Sequence, residues 1–369
     1  MNIAYFIESE INLDKPSSVL KKVMRQTKIW SDVGHGVWIF SLRSGNYLNV
    51  NKCELHRFGL SYTVKSSALN KLFIIYYNSY YLSKCIKELP ITLIYTRLIT
   101  YTPFLEVMIR KIPTIVEINS YDRKEYSGAA YSRYTRIYAA FLGNRIKKLA
   151  SAFVFVTNEL AELICKEINT IPNYKVIANG YAFDNSIAVR EYGNSHISLI
   201  FVVSPGQPWQ GVDRLCEIAQ NLPAYNFHIV GESGVNTGNV FYHGYQTSDV
   251  LSDLLSSAQF GIGTLALDRK EMIEACPLKS REYLFHGLPC FGSYIDPDFV
   301  AHQGLPIYMQ LSNVQDAYTS AQEIREFVEF WSEIKSYKSE VRREAAAILD
   351  DNVKEKLRLQ LFSEISTGK

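Results

Sequence analysis

The chain has 369 residues, with 47% hydrophobic, 21% charged and 13% aromatic side chains and a formal net charge of +2. That composition excludes disordered, collagen-like and disulfide-scaffold proteins, and at roughly 150 residues per domain the length predicts two domains, each large enough for its own core. The charge is unevenly spread: residues 1–180 hold 24 Lys and Arg against 13 Asp and Glu, a net +11, and residues 181–369 hold 15 against 24, a net −9.

No apolar run approaches the roughly 18 residues needed to span a bilayer. The start, Met1-Asn2-Ile3-Ala4-Tyr5-Phe6-Ile7-Glu8, has no basic flank and no long apolar centre, so it reads as a strand, not a signal peptide. Six scattered cysteines (Cys53, Cys85, Cys165, Cys216, Cys276, Cys290) form no CxxC pair, which predicts reduced thiols and a cytoplasmic location.

In chain order, apolar runs at Ile3–Ile7, Val37–Leu42, Ile91–Tyr95, Thr114–Ile118, Phe153–Thr157 and Lys175–Ala178 are continuous, as strands buried on both faces are. Helical patterns lie between them at 17–32, 66–88, 131–150 and 158–168. Repeated β-α-β order predicts a doubly wound parallel sheet with right-handed crossovers. The polar stretch 183–196 reads as a linker between domains 1–182 and 197–345. Beyond it strands are expected at Leu199–Val203, Phe227–Gly231, Phe260–Leu265, Pro289–Ser293 and Ile307–Gln310, with helices near 211–221, 248–257, 278–286 and from 313 on. The charged end, 346–369, reads as a helical tail packing back on the first domain. The fold class is therefore α/β: two Rossmann-like domains facing a central cleft, with chemistry expected in the loops after the strands.

The most informative string is Glu274-Ala-Cys-Pro-Leu-Lys-Ser-Arg-Glu282-Tyr-Leu-Phe-His-Gly-Leu-Pro. Pro277 suits the first turn of a helix, where its missing N–H costs nothing. The N–H groups of Leu278, Lys279 and Ser280 then form an anion site, to which Lys279 adds a full charge. Glu282, one turn deeper, can accept two hydroxyls of a vicinal diol such as ribose. Glu274 lies on the loop side, where it would face a bound sugar.

Two glutamates separated by seven residues, followed by Glu-Tyr-Leu-x-x-Gly-Leu-Pro, resemble the donor-site signature of glycosyltransferase family 4 on the GT-B fold. Pro208-Trp209-Gln210-Gly211-Val212-Asp213-Arg214-Leu215, Asn179-Gly180, His228-Ile229-Val230-Gly231 and Phe241-Tyr242-His243-Gly244 resemble further parts of it, so the likeness covers most of residues 90–310. The resemblance implies a retaining transferase using a UDP- or GDP-linked sugar, with no metal and no other cofactor. It assigns catalysis to Glu274 and Lys279. Donor binding falls to Glu282, Leu278, Cys276, Pro277, Gly206, Gln207, Trp209, Gln210 and Gly231. The leaving diphosphate itself takes the acceptor proton, so catalysis is mostly positioning and charge stabilisation. The family commonly sets an Arg and a Lys near the glycine loop; the comparable residues here are Gln207 and Gln210, both neutral.

In the first half, Arg97, Glu117, Asn119 and Glu125 follow strands and are acceptor-side candidates; an ion pair between Arg97 and Glu117 is the structural alternative. Ser17 or Ser18 is expected to cap the first long helix. Asp296-Pro297-Asp298 has the form of a metal motif but reads as a turn. The histidines lack metal spacing, no GxGxxG follows a strand, and nothing suggests nucleic-acid binding. Over 131–150 a helical projection gathers Tyr134, Tyr138, Phe141, Leu142, Ile146 and Leu149 on one side and Arg133, Arg136, Lys147 and Lys148 opposite. With the aromatic run 73–81 and the basic first half, this predicts attachment to an anionic membrane surface.

The expected function is transfer of a sugar to a saccharide or lipid-linked saccharide in bacterial surface polysaccharide assembly, such as lipopolysaccharide O-antigen or capsule. A nucleotide-sugar epimerase on the same fold and a non-catalytic sugar- or partner-binding subunit are the rival readings.

Overall fold

The structure, a computed structural model, describes residues 1–63, 65–121, 133–184, 189 and 196–366, with residues 133–140 described by backbone alone. It divides into two units, Met1–Ile177 with Lys354–Lys369, and Ala178–Val353.

The first unit is an eight-stranded sheet built from β1 (Asn2–Ile7), β2 (Gly36–Ser41), β3 (Asn46–Asn49), β4 (Glu54–Arg57), β5 (Leu93–Arg97), β6 (Thr114–Ile118), β7 (Ala152–Phe155) and β8 (Asn173–Val176), in the order β4-β3-β2-β1-β5-β6-β7-β8. Its helices are α1 (Ser18–Asp32), α2 (Ala68–Glu88), α3 (Pro103–Ile109), α4 (Arg133–Leu149) and α5 (Asn158–Ile168). The pairings are parallel except β2 with β3 and β3 with β4. That antiparallel extension and α3 escape the sequence pattern. They are short, and β4 is exposed along its whole length, so no apolar run marks it. Ser17 caps α1, its hydroxyl accepting from Leu20 N.

The second unit holds β9 (Ile197–Val202), α6 (Val212–Gln220), β10 (Tyr225–Val230), β11 (Val240–Tyr242), α7 (Ser248–Ser257), β12 (Phe260–Ile262), α8 (Leu278–Phe285), β13 (Cys290–Gly292), β14 (Tyr308–Gln310), α9 (Ala317–Ser332) and α10 (Tyr337–Leu349). The sheet is all parallel, in the order β11-β10-β9-β12-β13-β14. Its core joins Leu199, Phe201, Ile229, Phe260, Tyr283, Phe291, Ile324 and Trp331.

The boundaries differ from the sequence reading for visible reasons. Ile177 still donates to Phe155 O on β7 at 2.8 Å, but Tyr181 N donates to Leu349 O at 2.9 Å, so the chain changes units before 182. At the other end α10 packs on α8, and residues up to 353 stay with the second unit rather than leaving it at 346. Only α11 (Asp351–Ser366) carries the chain back, where Phe362 meets Trp30 edge-on at 5.0 Å and Leu361 and Phe362 are fully buried. Each of those two side chains contributes roughly 1.5–3 kcal/mol of burial free energy. Of the expected linker, residues 185–188 and 190–195 lie outside the described residues.

Both sheets have a topological switch point, between β1 and β5 in one and between β9 and β12 in the other. The crossovers leave in opposite directions there, and the carboxyl ends of the two strands open a crevice for a ligand.

Candidate functional site

At the β9/β12 switch point the second unit gathers most of the residues that the sequence singles out. Pro277 is extended (φ −69°, ψ 142°) and is the N-cap of α8, one place earlier than expected. Its carbonyl accepts from Ser280 N at 3.2 Å, so Ser280 is not one of the outward donors. The N–H groups of Leu278 and Lys279 are left in the first turn, where a helix has no acceptor of its own. They form the positive end of the helix dipole.

Lys279 folds back along β9. Its Nζ donates to Val202 O at 3.2 Å and to Gln210 Oε1 at 2.9 Å, and lies 4.4 Å from the centre of the Phe201 ring. Desolvation pulls its pKa down to about 7. Both of its hydrogen-bond partners are neutral, so any anion that arrives strengthens it as a cation. Gln210 is buried and holds the ammonium by its amide oxygen, as the neutral residue at that position allows.

The loop that carries Gln210 is held rigidly. Gly206 is exposed at φ +73°, and Gln207 caps a short 3-10 turn, Pro208–Gln210. Gly211 sits at φ +80°, where a Cβ would fall 3.0 Å from Leu265 Cβ. Leu265 N and Ala266 N donate to the carbonyls of Gln210 and Trp209. Two Arg–Asp forks clamp the same loops: Arg269 on Asp213, and Arg214 on Asp268 at 2.7 and 2.8 Å. Trp209 is half-buried, with Lys270 Nζ 3.7 Å above its ring. At the end of β10, Gly231 (φ +106°) passes so close to Val203 that a Cβ would lie 2.0 Å from the Val203 carbonyl oxygen. Only glycine fits there, which explains the residue by packing.

Glu282 is half-buried one turn into α8, with Tyr181 Oη 3.5 Å from its carboxylate. Glu274 is half-buried on a one-residue parallel bridge to Ile295, ahead of the helix. Cys276 is buried; Asn179 Nδ2 donates to its carbonyl at 2.9 Å, and burial pushes its thiol up to about 11, so it is a packed residue without thiolate character.

Arg281 cannot supply charge to a ligand, because it is fully buried and forked onto Asp296, with a second contact to Asp298 at 2.8 Å. Its Nε donates to Asn179 O at 3.1 Å. The Asp-Pro-Asp string forms the expected turn, Phe299 N donating to Asp296 O at 3.0 Å. It is also the counter-charge that lets an arginine sit in the core of α8. The sequence signal was available: an Arg on a helix face otherwise occupied by Tyr283, Leu284 and Phe285 needs a carboxylate partner. Among the described residues no group of three or more His, Cys, Asp or Glu is placed to hold a metal.

In the first unit the expected Arg97–Glu117 pair is not the one that forms. Glu117 is fully buried and bonds Lys22 Nζ at 2.8 Å, Tyr95 Oη at 2.5 Å and Asn119 Nδ2 at 2.8 Å, with Arg358 of α11 3.5 Å away. Although burial opposes the charge, Lys22 and Arg358 hold its carboxyl well below the usual range. It is a structural hub. Glu125 lies outside the described residues. On α4, Lys147 is buried between Asn144 and Glu167, and Phe141 is 81% exposed, so the projected apolar and basic sides are both revised at these positions. Lys148 is exposed, and the side chains of Arg133 and Arg136 lie outside the description.

No protein-family model and no curated protein sequence matches the chain. Solved structures do. Sucrose-phosphate synthase from Thermosynechococcus elongatus is 12% identical, with a TM-score of 0.68 over 100% of both chains. The lipopolysaccharide outer core galactosyltransferase WaaB is 12% identical, with a TM-score of 0.65 over 99% of this chain and 100% of its own. HepE from Anabaena, solved with UDP-glucose, is 13% identical, with a TM-score of 0.62 over 99% and 100%. At these identities the likeness shows the fold, which is GT-B: two Rossmann-like α/β units.

Proposed function

We propose that the chain is a retaining glycosyltransferase that takes a sugar from a nucleotide diphosphate donor, UDP- or GDP-linked, and passes it to a saccharide or lipid-linked saccharide acceptor. The observation that carries this reading is the start of α8 at the β9/β12 switch point, where Lys279 and two first-turn N–H groups meet a carboxylate, Glu282, one turn away. The diphosphate is held by Lys279 and the N–H groups of Leu278 and Lys279. Glu282 accepts from the ribose diol, and Glu274 from donor-sugar hydroxyls. Charge that develops on the leaving diphosphate is met by groups already in place, so little reorganisation is needed as the bond breaks. The GT-B fold and the UDP-glucose bound by HepE support the donor class. The reading needs no metal.

The test is a thermal-shift panel of nucleotides and nucleotide sugars, followed by transfer and hydrolysis assays with any sugar that binds. A ligand at 100 times its Kd adds roughly 2.7 kcal/mol of stability. A uridine or guanosine diphosphate series is expected to raise the Tm. A chain that no nucleotide stabilises would be a non-catalytic subunit, and one that isomerises the donor without an acceptor would be an epimerase.

We also propose that the first unit docks on the cytoplasmic face of an anionic membrane in surface-polysaccharide assembly. Helices α2, α3 and α4 lie in a row, joined by Tyr80–Phe104 and by Arg145–Glu106. Along that row Leu69, Phe73 (61% exposed), Val107 and Phe141 are open to solvent, and Lys87, Lys111 and Lys148, on or just after the same helices, are exposed. Exposed apolar side chains and lysines on one set of helices suit a lipid interface, at about 1 kcal/mol for each well-placed cation. Among the described residues no helix is long and apolar enough to cross a membrane. The chain should sediment with phosphatidylglycerol vesicles and not with phosphatidylcholine at low salt, and F73S/F141S should weaken that binding. Equal partitioning to both lipids counts against it.

A further inference from the structure

The switch point of the first unit, between β1 and β5, holds a pocket of about 310 Å³. It is lined at the carboxyl ends of β1, β5 and β6 by Glu8, Arg97 and Asn119, with Arg43 from beyond β2 and Val19 from the start of α1. Its two arginines are available. The Arg97 side chain makes no hydrogen bond or ion pair among the described residues, although its charge adds to the field that lowers Glu117. Arg43 uses Nε on Tyr62 O at 3.5 Å, which leaves both terminal nitrogens without a described partner.

Two carboxylates, Glu8 and Glu117, share the lining with the arginines. Glu117 is held mainly by Lys22 at 2.8 Å and Arg358 at 3.5 Å, with a smaller pull from Arg97. Glu8 accepts from the N–H and the side chain of Thr100 and carries no basic partner, so its carboxylate keeps lone pairs for a hydroxyl. The first turn of α1 adds to the positive field: Ser17 occupies the N–H groups of Leu20 and Lys21, and those of Ser18 and Val19 lie ahead of them. Arginine forks match planar or tetrahedral anions bidentately. A carboxylate oxygen a few side chains away matches a hydroxyl.

We propose that this pocket binds an acidic sugar, its phosphate or carboxylate gripped by Arg97 and Arg43 and a hydroxyl accepted by Glu8. As an acceptor site the pocket rests on the transferase reading; the anion contacts do not. The site thus selects an acceptor that is itself charged, and the volume suits one sugar unit at the low end of ligand-pocket sizes.

Calorimetry on the full chain with glucose 6-phosphate, glucuronate and glucose, each with and without UDP, tests this. At least one of the two acidic sugars should bind, and which one does tells phosphate from carboxylate. Glucose should bind at least about tenfold more weakly, since it leaves both arginines unpaired. Arg97→Gln and Arg43→Gln should each lower acid-sugar affinity by about tenfold or more, Arg97→Lys should restore part of it, and Glu282→Ala should leave it unchanged. The proposal is overturned if neither acid binds, if glucose binds equally, if both arginine variants bind as the wild type does, or if Glu282→Ala abolishes the signal. Failure of UDP to bind while the acidic sugar still does would sink the donor assignment and leave this one standing. Circular dichroism melting verifies each variant's fold, and the two arginines, one at the end of β5 and one on the loop after β2, guard against one variant failing to fold.

Discussion

Glu282→Ala is expected to abolish the rise in Tm that a uridine or guanosine diphosphate gives the wild type. Glu282 lies one turn inside α8, half-buried, where its two oxygens can take both hydroxyls of a ribose. Hydrogen bonds to a charged group contribute roughly 1.5–3 kcal/mol each, so losing two weakens the nucleotide by at least two orders of magnitude. Glu274→Gln should behave differently: nucleotide stabilisation persists while sugar transfer collapses, because that residue stands ahead of the helix beside Ile295. Lys279 supplies an independent signature. Its folded pKa, about 7, lies below the ordinary lysine value because of desolvation, so charging it costs stability, fully below about 7 and progressively less as pH rises toward the unfolded value. A bound diphosphate reverses that shift. Binding near pH 8 should therefore take up a proton, read by calorimetry in two buffers of different ionisation enthalpy. A Glu282→Ala protein that UDP stabilises as well as the wild type would falsify the site assignment.

The largest effect on stability is expected from Arg281→Ala. Its guanidinium is wholly buried and pairs with Asp296, itself 2% exposed, and with Asp298. Removing one partner of a buried pair costs about 3–5 kcal/mol, because the remaining carboxylates stay desolvated and unpaired. The loss should depend on pH. Desolvation already raises the pKa of Asp296, and Arg281 is the main influence that lowers it. Without the arginine it rises further, so the variant's deficit grows as pH climbs through that raised value and shrinks in acid, where the carboxyl is neutral. Urea unfolding at about pH 5 and pH 8 reads the difference. Adding Asp296→Asn to the alanine variant should recover part of the deficit at pH 8. A deficit under about 1 kcal/mol, or one that is the same at both pH values, shows that the pair does not carry the stability of this helix.

The helix start at Leu278 was legible because its signal is local: a proline, then a run that must be helical, after an apolar strand. Gln210, although named from the loop, acquires its role only by reaching Lys279, 69 residues along the chain, at 2.9 Å. An Arg on the apolar face of α8 announces that it needs a carboxylate, but the choice of Asp296, the Arg269–Asp213 and Arg214–Asp268 clamps and the seating of Glu117 among Lys22, Tyr95 and Arg358 follow no periodicity or fixed spacing. Lys147 shows the converse: a helical projection placed it on a charged face, but α5 brings Glu167 to it and buries it. Projection sees one helix, and burial depends on what packs against it.

Sequence alone determined the alternation of strands and helices, and with it the doubly wound class, because apolar runs and helical periodicity are properties of neighbouring residues. The tertiary structure decided which charges are spent within the fold and which stay available. Arg281 and Glu117 are consumed by buried partners, and Arg97 and the terminal nitrogens of Arg43 are left facing a pocket. The reason is physical: a charge must find its partner or water wherever the chain brings it, and that distance is set by topology, not by position in the sequence.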